Sequence, residues 1–124
     1  MISKKATDLI IQHEVGGRAY YDKKLQAPIW AGGESGVTIG MGYDLGFNSD
    51  KQFMADWSGV INLNFINALR PTIGIKGIQA KAMLKGEILN VSIPYNTAYE
   101  VFVKSSLPRY YAMTKKIYPN MDLL

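Results

Sequence analysis

The sequence predicts an α+β fold: an N-terminal helix, a small antiparallel β-hairpin sheet, then a mostly helical lobe. Three observations carry that prediction. Apolar residues recur at three-and-four spacing over residues 3–14. Glycines crowd a β-patterned stretch between residues 18 and 48. Helical spacing then returns from about residue 49.

Ser3 is a side-chain cap for the first helix, whose stripe is Ala6, Leu9, Ile10 and His13. Gly16-Gly17 ends it by tolerating positive φ. Glu14 therefore sits in or just past the last turn, at the negative end of the helix dipole, which opposes its ionisation. Tyr20-Tyr21, Ile29-Trp30 and the series Val37, Ile39, Met41 predict short strands. Gly32-Gly33, Gly36, Gly40, Gly42 and Gly46 punctuate them as turns or close backbone approaches.

Ser49 or Asp50 starts a helix running to about Trp57, and Asn62 or Asn64 starts another that ends before Pro71. A helix from Gly77 to Lys85 carries Ile78, Ala80, Ala82, Met83 and Leu84 and stops at Gly86. Pro94 opens a helix around Ala98, Tyr99, Val101 and Phe102; Pro108 opens a last one with Tyr111, Ala112 and Lys115. The apolar segment from Ile117 to Leu124 reads as the approach to a further core helix, which predicts an incomplete or C-terminally truncated domain.

The 124 residues amount to one domain, 1–124, large enough to bury a core without covalent staples. With no cysteine, disulfides, thiolate metal sites and cysteine nucleophiles are excluded. A single histidine, His13, excludes any mechanism with two imidazoles and argues against a histidine metal site. The N-terminus has no apolar core and no small-residue cleavage site, so no signal peptide is expected; nor is there a run of about 18 apolar residues for a membrane span. A net charge of +4 favours anionic partners. It is dispersed in pairs such as Lys4-Lys5, Lys23-Lys24 and Lys115-Lys116, without a basic stripe or motif, so no nucleic-acid binding is expected.

Three residues carry candidate chemistry: Glu14, Asp22 and Thr38. Glycoside hydrolysis needs one carboxylic acid to protonate the leaving oxygen and a second group to guide a nucleophile on the other face. Glu14 follows an amphipathic helix and precedes a glycine turn and two tyrosines, surroundings that suit a protonated acid. Thr38 lies on a strand with its hydroxyl on the face opposite Val37 and Ile39. Asp44, beside Gly46, reads either as a carboxylate of the site or as a turn residue bonding backbone amides. The run from Gly32 to Thr38 is not a phosphate loop: it lacks the Gly-Lys-Ser/Thr ending, and strand pattern follows it. Tyr20, Tyr21, Trp30 and Tyr43 suit either sugar stacking or a small core, whereas Tyr95, Tyr99, Phe102, Tyr110 and Tyr111 read as core or surface.

The order Glu14, then Tyr20-Tyr21-Asp22, then Thr38-Ile39-Gly40-Met41-Gly42-Tyr43 resembles the phage-type lysozymes. The longer phrase Gly32-Gly33-x-Ser35-Gly36-Val37-Thr38-Ile39-Gly40-x-Gly42-Tyr43-Asp44-Leu45-Gly46 is similar to a lysozyme-like branch of secreted antibacterial effectors and phage-derived wall lysins. The resemblance implies Glu14 as general acid, Asp22 on a hairpin positioning or activating water, and Thr38 helping to hold that water. Tyr21, Trp30 and Tyr43 would contact substrate. Asp22 and Thr38 stand sixteen positions apart, more than in the simplest phage enzymes, and the inserted stretch brings Trp30 and Glu34 near the site. Glu34 and Asp44 are therefore alternative second carboxylates.

The implied reaction is bacteriolytic: hydrolysis, with inversion, of the β-1,4 bond between N-acetylmuramic acid and N-acetylglucosamine. It needs no cofactor and no metal. The implied partners are bacterial peptidoglycan, an immunity or inhibitor protein, and a second copy completing the fold. The place of action is the bacterial cell wall or periplasm, reached by lysis or a specialised secretion route. Two other readings stand beside it: a lytic transglycosylase using the same glutamate, and a non-catalytic peptidoglycan-binding module.

Overall fold

A computed structural model of the chain describes residues 3–109, 111 and 112, and the side chains of all of these except Ile11, His13, Glu14 and Val15. The expected run of the last helix to Lys115 and the apolar segment 117–124 lie outside the described residues. The fold is α+β, with a three-stranded antiparallel sheet and helices before and after it.

Helix α1 (Lys4–Val15) starts where the sequence says it should. The Ser3 hydroxyl accepts the Ala6 N–H at 3.1 Å, and Gly16 closes the helix at φ 68°, its N–H reaching the Gln12 carbonyl. A serine cap of this kind is worth about 1 kcal/mol.

Residues 18–25 are helical, not a strand. Helix α2 (Arg18–Tyr20) runs into a π-helical turn, Tyr21–Leu25. The expected strand at Tyr20-Tyr21 and the expected hairpin position of Asp22 are both corrected by this. The reason is a helical periodicity pinned from afar. Tyr21 is wholly buried, and Leu25, four residues on, packs against the same core. The Tyr21 hydroxyl donates to the Ile93 carbonyl at 2.7 Å, while the Ile93 N–H donates to the Gln26 carbonyl at 2.8 Å. The Tyr95 ring meets Tyr21 edge-on at 5.6 Å.

The sheet has the order β1 (Ile29–Trp30), β2 (Val37–Ile39), β3 (Tyr43–Asp44). Thr38 is opposite Ile29 on one side and Asp44 on the other; Val37 is opposite Trp30, and Ile39 opposite Tyr43. Residues directly opposite share a face. Val37, Ile39 and Tyr43 thus point into the core, and half-buried Thr38 and Asp44 point away from it. Met41, expected on a strand, is in the turn instead, because Gly40 and Gly42 on either side adopt φ of 57° and 75°.

The helical lobe supplies the other wall of the core. Helix α3 (Asp50–Trp57) is capped by Ser49 and buries Phe53 and Trp57. Helix α4 (Leu63–Leu69) is capped by Asn62, buries Ile66 and Leu69, and gives way at Arg70–Thr72 to a 3-10 turn containing Pro71. Helix α5 (Ile78–Ala82) is shorter than expected, and a 3-10 turn follows at Gly86–Asn90. Helix α6 (Tyr95–Val101) takes Pro94 as its N-cap rather than in its first turn. Pro108 opens no separate helix. A π-helical turn at Phe102–Ser106 carries the chain on into helical residues 107–109. Proline lacks an N–H and crowds the carbonyl one turn back; the wider π turn lets the chain pass it without a break. Among the described residues, no helix is long and apolar enough to cross a membrane.

Candidate functional site

The glycine-rich hairpin is organised around one residue, Gly36. Asp44 Oδ1 accepts the N–H of Gly36 at 3.0 Å and the N–H of Gly46 at 2.8 Å. The Thr38 hydroxyl donates to the Gly36 carbonyl at 3.2 Å. Side chains from two neighbouring strands therefore hold both polar groups of Gly36. The backbones here are too close for any side chain: a Cβ on Gly36 would lie 2.4 Å from the Gly46 nitrogen, and one on Gly46 would lie 2.8 Å from the Ile75 carbonyl. The loop around Ile75 is tied to the hairpin by Gly77 N–H to Ser35 carbonyl, 2.8 Å, and Gly74 N–H to Leu45 carbonyl, 3.0 Å. The close approach expected from the glycines is between backbones.

Asp44 is accordingly a turn residue with its carboxylate engaged, the second of the two roles open to it. Thr38 uses its one donor on Gly36 and keeps oxygen lone pairs that can accept from a water or a sugar hydroxyl. Glu14 is in the last turn of α1, directly before the Val15–Gly16 end; its side chain lies outside the description. Asp22 is on the π-helical turn, exposed and 3.7 Å from Arg18. Glu34 is exposed in the loop between β1 and β2. Trp30 is half-buried; its indole N–H donates to the Ser35 carbonyl at 3.0 Å, and the Lys81 ammonium is 5.5 Å from its ring centroid. The sheet thus brings Trp30, Thr38 and Asp44 onto adjacent strands, while Asp22 and Glu34 come from separate segments.

Tyr21 and Tyr43 are core residues, which replaces the expectation of sugar-contacting rings at these positions. Burial pushes both phenols well above the usual tyrosine range. At Tyr21 the nearby Asp22 charge adds to it; at Tyr43 the hydrogen bond to Asp56 does.

Asp56 was not singled out from the sequence. Its carboxylate is almost fully buried on α3, yet it accepts four hydrogen bonds: Tyr43 hydroxyl at 2.6 Å, Gln52 amide at 3.0 Å, and a two-pronged Arg109 guanidinium at 3.2 and 3.0 Å. Burial disfavours the charge, but the bonds from Arg109, Tyr43 and Gln52 outweigh it and hold the carboxyl below the usual range. One signal existed: Asp56 falls three residues after Phe53 and beside Trp57, on the apolar side of its helix. Arg109 is too distant in sequence to be paired with it by eye. Among the described residues, no cluster of three His, Cys, Asp or Glu is placed to hold a metal.

No curated protein and no solved structure matches the chain. A family model does, over residues 10–122, a stretch containing Glu14, the whole sheet and helices α2 to α6. The chain belongs to the family described as a domain of unknown function, DUF8812.

Proposed function

We propose that the chain is a lysozyme-like peptidoglycan hydrolase acting at the bacterial wall, with Glu14 as general acid. The observation that carries this reading is the order of a helix-ending glutamate, a glycine turn, and a three-stranded antiparallel sheet with half-buried Thr38 on its middle strand facing away from the core. Protonation by Glu14 releases the leaving sugar oxygen. Water held by Thr38 and a carboxylate attacks the other face. Asp44 is bound to two amides, so Asp22 and Glu34 are the carboxylates left for that second role.

The engagement of Asp44 also favours a second reading with one carboxylate: a lytic transglycosylase, in which a hydroxyl of the substrate itself replaces water. Purified peptidoglycan treated with wild type and with Glu14→Gln separates the readings. A muramidase releases reducing ends that vanish in the variant. A transglycosylase cleaves with the same dependence on Glu14 but leaves no new reducing end. Binding without cleavage, equal in both proteins, identifies a non-catalytic wall-binding module and overturns the proposal.

A further inference from the structure

A cleft of about 520 Å³ lies between α4 and the 3-10 turn Gly86–Asn90, lined by Asn64, Phe65, Asn67, Ala68, Glu87 and Asn90. Its size is within the ~300–1,000 Å³ usual for small-ligand sites. Among the described side chains, none of Asp22, Glu34 or Thr38 lines the cleft.

Its composition is specific. Phe65 and Ala68 are half-buried against the core and form an apolar floor. Around them stand three asparagines and one carboxylate, all exposed, none with its side chain hydrogen-bonded to another described residue. Asn64 and Asn67 are three residues apart, on one face of α4. Asparagine is a poor helix former that favours caps and turns. Here the cap is Asn62, whose side chain accepts the Phe65 N–H at 2.9 Å. Asn67, past the first turn of α4, thus slightly weakens a short helix without capping it.

The lining also selects a ligand chemistry. Among the described residues no cation lines the cleft, and Glu87 disfavours anions such as phosphates and carboxylates. One carboxylate is too few for a metal. Primary amides donate and accept side by side, as vicinal hydroxyls and acetamido groups require, and the apolar floor suits the C–H face of a sugar ring.

We infer that the cleft between α4 and Gly86–Asn90 is a subsite for a neutral N-acetylhexosamine chain, gripped by Asn64, Asn67 and Asn90. The neutral polyhydroxyl class follows from the lining; the choice of an N-acetylated sugar rests on the proposed action on peptidoglycan.

The probe is tetra-N-acetylchitotetraose, titrated into the full chain and followed by calorimetry. The comparison is Asn67→Ala alone and Asn64→Ala with Asn67→Ala. Alanine favours the helix, so both variants should fold, which a thermal melt checks. The expected result is millimolar or tighter binding by wild type, weakened about three- to tenfold per lost amide. Unchanged affinity in the double variant overturns the subsite, as does the absence of binding by wild type, or binding of a free stem peptide in place of the sugar. The two proposals fail separately. Glu14-dependent cleavage with indifferent asparagines removes only the cleft, whereas asparagine-dependent binding without cleavage removes only the hydrolase.

Discussion

Gly36 and Gly46 touch backbone to backbone: a Cβ on Gly36 would lie 2.5 Å from the Gly46 Cα, and the Asp44 carboxylate bridges their two N–H groups. This contact closes the hairpin and fixes the strand that carries Thr38. Gly36→Ala must push the two backbones apart, and overpacking of this kind is expected to cost at least about 1–3 kcal/mol. Asp44→Ala removes charge-assisted bonds to two amides, a loss of roughly 1.5–3 kcal/mol for each. Urea unfolding checks both; a midpoint within error of wild type for either variant means that the contact does not hold the sheet.

Thr38 tests the site rather than the fold. Thr38→Ser keeps the hydroxyl and should keep cleavage of peptidoglycan. Thr38→Val keeps the β-branched shape but cannot orient a water, and the rate is expected to fall on the order of ten- to a hundredfold. Equal rates for the two variants, both folded, would remove Thr38 from the mechanism.

The Asp56–Arg109 pair gives the fold a sensitivity to acid. The Asp56 pKa is lowered below 3.8 on folding, so the stability it confers is complete above about pH 4 and is lost as pH falls through the lowered value. Arg109→Ala strands a buried carboxylate. Because the Arg109 side chain is 43% exposed, the expected cost is about 2 kcal/mol rather than the ~3–5 of a fully buried pair. Denaturant melts from pH 7 to pH 3 should show wild type losing stability below about pH 4, with Arg109→Ala flatter across that range. Parallel curves for the two proteins would contradict the pairing.

Alkali should act through the two buried tyrosines. Tyr21 and Tyr43 ionise far more readily in the unfolded chain, near 10.0, than in the folded one. Their contribution is full below pH 10 and declines as pH rises above it. Titration followed by tyrosine ultraviolet absorbance should find two phenols that ionise only as the protein unfolds.

Tyr21→Phe isolates the tie between the π-helical turn and the helical lobe. It leaves the Ile93 carbonyl without its donor in the core, at an expected cost of about 1–3 kcal/mol. A variant as stable as wild type would show that the hydroxyl contributes nothing to holding residues 21–25 helical.

Taken by itself, the sequence determined what depends on near neighbours. Ser3 caps one helix and Gly16 ends it, and the caps of two more narrow to Ser49 or Asp50 and Asn62 or Asn64, of which the structure takes Ser49 and Asn62, because a side-chain oxygen or a left-handed glycine acts within a single turn of chain. The glycine density between residues 32 and 46 announced that something must come close, and the alternation around Thr38 set its face. Only the tertiary structure decided what came close. It placed the Gly46 backbone against Gly36, turned Asp44 to bridge them, and set Tyr21 inward beneath Ile93 on a helical turn where local pattern suggested a strand. It also paired Asp56 with Arg109 and set the asparagines of α4 beside Asn90. These contacts join residues far apart in the chain. Their energies depend on burial and mutual orientation, which exist only once the core has formed.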